Sequence, residues 1–309
     1  MLSANQTIAM FEGLRRAQNQ GRYAPHKPLL VLLALARIQR DQPRLVPFDE
    51  VDEPMQNLLA EFGPTGSTKS RHYPYWHLDR SLWQVNGPAT LVNRSLGATP
   101  NLSELREDGV RAGFAPEVDA VLRTQPALLV QVAQRVLESY FPATLHADIA
   151  QSVGLELTLQ QPQVRDDGQS TYVNSVRRSR SAGFRQQVLQ AYEYRCCVCG
   201  FDLRIGHIPA GLEAAHIQWH TAGGPDVEAN GLSLCALHHK LFDLGAFTLE
   251  PDGLRIVFSR HAISGSRGLD GELRHHGQPL LRPQSPEQLP GAEFIGWNHR
   301  NVFKSPARG

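Results

Sequence analysis

The chain's four cysteines, Cys196, Cys197, Cys199 and Cys235, all fall within forty residues of one another in its C-terminal half. "CCVCG" supplies Cys196-x-x-Cys199 and "CALH" supplies Cys235-x-x-His238, two close pairs separated by a loop, as a tetrahedral structural zinc site requires. The competing reading is four unligated, partly buried cysteines. Cys197 falls outside the paired spacing and is a spare. If zinc takes Cys235 and His238, His239 is left over beside them. With His216 and Asn230 it makes a set of polar residues that a soluble core tolerates only as ligands, catalysts or well-paired groups. The elements that must carry them are short: "LEAAHI" and "GLSLC" read as two strands and "ALHHKLFD" as the start of a helix, a ββα unit. His220 gains no support from spacing, and His207, His261, His275 and His276 read as ordinary polar residues.

The remaining chain has to position and aim this unit. A chain of 309 residues that is 41% hydrophobic buries a real core, and its length favours two domains. The net charge is +1, so any binding of nucleic acid must come from local patches rather than a global field. The longest apolar run, "PLLVLLALARI", is broken by Arg37 and is too short for a bilayer, and "MLSANQTIAMFEG" lacks the charged start and apolar stretch of a signal peptide. A cytoplasmic protein with no membrane partner is expected, where cysteines serve metals rather than disulfides.

Apolar spacing predicts helices over 3–20 and 28–40, a third behind Pro47, and others over 101–109, 126–141 and 144–153. "RHYPYWHLDRSLWQV" predicts a short hairpin, with Trp76 and Trp83 favouring the core on packing grounds. The stretch "QQPQVRDDGQSTYVNSVRRSRSAG" reads as a polar linker with a cationic end. The expected organisation is therefore an N-terminal domain over 1–160, a linker over 161–182 and a C-terminal domain over 183–309. The fold class is α+β, with a mostly helical N-terminal domain followed by a zinc-stabilised ββα domain. "AEFIGWNHRNVFK" predicts a terminal amphipathic helix, open to packing or to dimerisation.

The pattern "EAAHI…NGL.LC..HH..FD" resembles the HNH endonucleases over roughly residues 184–250. Hydrolysis of a phosphodiester needs a base to deprotonate water and a cation to neutralise charge on the phosphate and the leaving oxygen. The resemblance implies His216 as the general base and Asn230 as the residue that fixes the loop and holds the base. It also implies His239 and, one helical turn later, Asp243 as ligands of a catalytic divalent metal such as Mg2+ or Mn2+. The family often has Asp or His just before the base, where this chain has Ala215. Glu213, water or substrate phosphate must make up that difference.

In the N-terminal half, "HKPLL" sets His26 and Lys27 at a helix start, where backbone N–H groups favour phosphate, and "YPYW" sets Pro74 among Tyr73, Tyr75 and Trp76. The residues alone allow either a core hairpin or an apolar surface for an unusually apolar nucleic acid. "HKPLL.LLALAR", "LL.EFGP" and "YPYWHL…LWQV" are similar to the sulfur-binding domains of phosphorothioate-dependent, type IV, McrA-like restriction endonucleases, over roughly residues 5–160. That resemblance implies a cavity with Tyr73, Pro74, Trp76 and His77 as candidates. It implies His26 and Lys27 as the basic pair, further contacts from Arg71 and His72, and Arg94 as a weaker candidate.

The function implied is a modification-dependent endonuclease that recognises phosphorothioated double-stranded DNA and hydrolyses nearby phosphodiester bonds, using structural Zn2+ and a catalytic divalent metal. One active site per chain suggests a homodimer for cutting both strands. Two alternatives stand beside it: an HNH endonuclease reading a modified base such as methylcytosine, and a non-catalytic zinc-stapled DNA-binding module.

Overall fold

The computed structural model describes residues 2–14, 23–92, 98–106, 109–157, 182–252, 254–263 and 269–309. It divides into two compact units, Met1–Leu159 and Gln160–Gly309. Among the described residues, no helix is long and apolar enough to cross a membrane.

The first unit is mostly helical. Helix α1 (Ala4–Glu12) begins with a capping box in which Ser3 and Gln6 exchange backbone and side-chain hydrogen bonds. Helix α2 (His26–Gln39) holds the "PLLVLLALARI" run, and Leu29 to Ala36 are buried without interruption. A helix apolar on every side has to be central. The surrounding elements are β1 (Val46–Pro47), α3 (Asp49–Phe62), α4 (Tyr73–His77), β2 (Trp83–Asn86), the short turns α5 (Ala89–Val92) and α6 (Leu102–Leu105), β3 (Arg111–Phe114), α7 (Pro116–Thr124), α8 (Pro126–Tyr140) and α9 (His146–Val153). Of these, α3, α4, α7, α8 and α9 pack against α2. The three strands form an antiparallel sheet in the order β1-β3-β2.

The expected hairpin at "RHYPYWHLDRSLWQV" is instead α4 followed by β2, whose strand partner is the distant β3. Pro74 lies in the first turn of α4, where its missing N–H costs nothing. The Trp83 indole donates to the Tyr75 carbonyl at 3.0 Å, and the Tyr75 hydroxyl donates to the Val46 carbonyl at 2.7 Å. Helix α6 is also shorter than expected, and β3 and α7 were not foreseen between the predicted helices.

The second unit begins with α10 (Ala182–Ala191), then a two-residue pair β4 (Arg204–Ile205) and β5 (Ile208–Pro209). Strand β6 (Leu212–His216) pairs antiparallel with β7 (Gly231–Cys235), with His216 opposite Gly231 and Leu212 opposite Cys235. Helix α11 (Ala236–Asp243) follows directly, and completes the ββα unit read from the sequence. A second antiparallel pair, β8 (Phe247–Leu249) and β9 (Ile256–Phe258), a short turn α12 (Leu269–Glu272) and α13 (Ala292–Asn301) close the unit.

Helix α10 packs on β6 and β7, and its Val188 and Leu189 share the core with Ala215, Leu232, Leu234 and Phe242. That approach explains the glycine of "NGL": a Cβ on Gly231 would lie 2.3 Å from Val188 Cγ2. Helix α13 packs on β8, and Thr248 donates to the buried Asn298 at 2.8 Å, so the tail helix is part of the core.

Candidate nuclease and DNA-recognition sites

At the end of β6, the His216 ring stacks on Phe184 of α10, with centroids 3.9 Å apart and planes at 16°. Its Nε2 lies 2.8 Å from Asp226 Oδ1, and Asp226 in turn lies 3.5 Å from His220 Nδ1. The buried Asn230 bonds the same loop at three points. Its Oδ1 accepts from Gln218 N at 2.8 Å, and its Nδ2 donates to Gln218 O at 3.1 Å and to Pro225 O at 3.0 Å. Gly224 permits this closure, since a Cβ there would lie 1.9 Å from Gln218 O. Asn230 therefore fixes the loop that carries Asp226 and His220 around His216. Neither Asp226 nor His220 was singled out from the sequence. A carboxylate in a turn after "GGP" has no spacing that ties it to a histidine on a strand.

Across the ββα unit, His239 of α11 is buried between two carboxylates. Its Nδ1 lies 2.6 Å from Glu213 Oε2 and its Nε2 lies 3.2 Å from Asp243 Oδ2. Burial alone would lower the His239 pKa, but the charge of Asp243 and hydrogen bonds from Asp243 and Glu213 overcome it and raise the value to about 9. Asp243 also accepts from the Trp219 indole at 3.0 Å. The pocket is thus arranged around positive charge, which is what a cation site needs. The two nitrogens of the imidazole point in opposite directions, so Glu213 at Nδ1 and Asp243 at Nε2 mark two separate places beside His239 where an ion could be held.

Cys196, Cys199, Cys235 and His238 bring their ligand atoms within 4.8 Å of one another. His238 Nδ1 is 3.1 Å from Cys235 Sγ and 3.6 Å from Cys196 Sγ. The Cys235 thiol is raised to about 11, first by its hydrogen bond with Cys196 and then by burial. Crowded thiols resist ionising together unless a cation compensates them, and three sulfurs with one imidazole are a donor set that can hold one. Glu272 Oε2 approaches His238 Nε2 to 2.7 Å, and the His275 ring lies 5.7 Å from that of His238, so His275 is not the ordinary surface residue expected. Cys197 is fully buried beside the cluster and is not part of it.

The first unit treats its candidates less evenly. Of the expected basic pair, His26 is turned onto the protein itself. His26 Nε2 sits 2.9 Å from Ser67 O and 3.0 Å from Ser70 Oγ, where it braces the loop before α4, and burial holds its pKa below the usual value. Arg71, expected on DNA, forks onto Asp52 at 2.5 and 3.2 Å, where Arg106 joins at 2.6 Å. Trp76 is 6% exposed and belongs to the core, with Arg80 over its ring at 5.7 Å.

Tyr73 is 49% exposed, edge-on to His72 at 4.7 Å and to His77 at 6.1 Å, with Pro74 buried in the first turn of α4. His72 and His77 both have lowered pKa values through burial, helped by Arg71 for the first and by Lys27 and Arg80 for the second. Lys27 and His77 line one surface pocket with Met10, Leu14 and Leu82, a lining that does not include Tyr73 or Pro74. Arg94 lies outside the described residues.

A family model described as ScoMcrA-like, DNA sulfur-binding domain matches residues 4–158, and one described as HNH endonuclease matches residues 196–250. Among solved structures, the sulfur binding domain of ScoMcrA complexed with phosphorothioated DNA is 27% identical, over 48% of this chain and 94% of that one, with a TM-score of 0.42. The modification-dependent TagI restriction endonuclease is 29% identical over 38% of this chain and 37% of its own, with a TM-score of 0.28. The type IV phosphorothioation-dependent restriction endonuclease ScoMcrA is 25% identical over 46% of this chain and 28% of its own, with a TM-score of 0.38. No curated protein matches the chain.

Proposed function

The chain belongs to the ScoMcrA-like family of DNA sulfur-binding domains and carries an HNH endonuclease domain, and from this we propose that it is a restriction endonuclease that recognises phosphorothioated double-stranded DNA and cuts it nearby. The observation that carries the proposal is the presence in one chain of both matched domains, the second with His216 fixed by Asp226 and Asn230 opposite a Glu213–His239 pair. Residues 1–160 serve recognition, 161–182 link, and 183–309 cut.

In this reading His216 takes the proton from water, and the resulting hydroxide attacks phosphorus as the leaving oxygen departs. Asp226 holds the imidazole in orientation and stabilises the charge it gains, much as a carboxylate does for other catalytic histidines. Glu213 and His239 hold the catalytic divalent cation, Mg2+ or Mn2+, with Asp243 fixing the ring. When bound, that cation supplies charge stabilisation to the scissile phosphate and leaving oxygen. Cys196, Cys199, Cys235 and His238 hold structural Zn2+, which ties the turn after α10 to the start of α11. A homodimer would place one such site on each strand.

On the first unit, the exposed Tyr73 ring, next to the buried Pro74, offers an apolar seat. A sulfur in place of a non-bridging oxygen hydrogen-bonds weakly and loses less on leaving water than an ordinary phosphate oxygen does. Lys27 at the start of α2 supplies charge for a neighbouring phosphate. The test is cleavage by the full-length chain of phosphorothioated and plain duplexes of identical sequence, with and without divalent metal. Cutting of the phosphorothioated duplex alone, and only with metal, is expected. Equal cutting of both would leave the nuclease in place and shift recognition toward a modified base. No cutting under any metal would favour the binding-module alternative.

A further inference from the structure

The connection between β6 and β7 gathers three metal-binding donors that the hydrolytic reading uses only in part. His216 ends β6, His220 starts the turn His220–Ala222, and Asp226 lies in the loop beyond it. Their ligand atoms lie within 4.8 Å of one another, with Asp226 Oδ1 2.8 Å from His216 Nε2 and 3.5 Å from His220 Nδ1. Those two separations bracket the edge of roughly 3.3 Å expected between ligands of a tetrahedral ion with bonds of about 2.0 Å. The donors are also held in place. Asn230 bonds Gln218 and Pro225, which flank His220 and Asp226 in the chain, and Phe184 stacks on His216. The His220 side chain is 68% exposed, so an ion can enter from solvent.

Two imidazoles and one carboxylate select a borderline transition ion such as Zn2+ over Mg2+ or Ca2+, which prefer oxygen ligands throughout. Three protein ligands leave a position for water, as in open zinc sites. We propose that His216, His220 and Asp226 form a second transition-metal site, separate from the Cys3His cluster and from Glu213 and His239, whose occupation withdraws the general base and shuts off cleavage. A dication on Nε2 makes Nδ1, the nitrogen left to take the proton when Asp226 faces Nε2, a much weaker base. The inhibition, though not the site, rests on the reading of His216 as the base. The chain would then depend on zinc for its fold and be silenced by zinc in excess.

The test uses the full-length protein in two assays. Equilibrium dialysis against Zn2+ at saturating Mg2+, which keeps Glu213 and His239 occupied, should give a tight equivalent and a weaker second one in the wild type, and His220→Ala should lose the second alone. Cleavage at a fixed, saturating Mg2+ or Mn2+ concentration should fall as Zn2+ is added, and His220→Ala should need at least about tenfold more Zn2+ for the same inhibition. Asp226→Ala, scored against its own zinc-free rate, should behave alike. Unchanged zinc sensitivity in His220→Ala would place the inhibition at Glu213 and His239 and overturn the proposal, as would a single zinc equivalent in the wild type. His216→Ala without added zinc separates the two readings: full cleavage there would remove His216 as the base, while dialysis would still decide the site.

Discussion

The nuclease residues of the second unit and the recognition residues of the first use polarity in opposite ways. In the second unit the polar groups converge on one another: His216 on Asp226, Asn230 on the loop beneath them, and His239 between Glu213 and Asp243. In the first unit most polar candidates are already committed to the protein itself, Arg71 to Asp52 and His26 to Ser67 and Ser70. A catalytic centre must fix its groups against each other to hold a reacting geometry, whereas a recognition surface works with what its own fold has not consumed. On that criterion the exposed Tyr73 is expected to carry more of the recognition than Arg71.

The largest effect that would sharpen this contrast is at the Cys3His cluster. Cys199→Ser should release zinc and unfold the second unit, because structural zinc sites contribute about 10–16 kcal/mol of binding energy to folding. Elemental analysis and circular dichroism check this, and phosphorothioated DNA should still bind through the first unit. Wild-type protein purified without zinc would contradict it.

Next comes the base. His216→Ala should slow cleavage by at least about a hundredfold while leaving DNA affinity nearly unchanged. The brace behind the cation should matter less: Asp243→Asn should lower the apparent divalent-metal affinity by roughly 10–100-fold and recover most of its rate at high metal, whereas Glu213→Ala should not. Equal recovery by both variants would return Asp243 to the role of direct ligand.

The smallest effects separate Arg71 from Lys27. Arg71→Ala should cost about 1–3 kcal/mol of stability in the first unit, through the charge it leaves on Asp52, with selectivity between duplexes preserved in the folded protein. Lys27→Ala should leave stability alone, weaken binding to both duplexes and reduce the salt dependence by about one phosphate contact. Denaturant melts and salt titrations distinguish them. The reverse assignment of effects would break the comparison between the two units.

Much of this was legible in the sequence where function depends on fixed local spacing. The Cys-x-x-Cys and Cys-x-x-His pairs, the two strands and helix of the ββα unit, and the buried helix α2 follow from neighbouring residues and periodicity. What was not legible depends on partners far along the chain. Strand β2 looked like half of a hairpin until β3 took it, and Arg71 looked like a surface charge until Asp52, nineteen positions earlier, accepted its fork. The Asp243 role shows a subtler limit. Helical spacing places Asp243 beside His239, but it says nothing about which ring nitrogen the carboxylate meets.

The central claim, that the first unit selects sulfur through an unspent apolar surface, is tested most directly by affinity in the absence of cleavage. The full-length chain, with divalent ions other than bound zinc withheld, is titrated with phosphorothioated and plain duplexes of one sequence, as wild type and as Tyr73→Ala. The account predicts a preference for the phosphorothioated duplex that narrows in Tyr73→Ala while affinity for the plain duplex stays the same. Equal wild-type affinity for the two duplexes would contradict it.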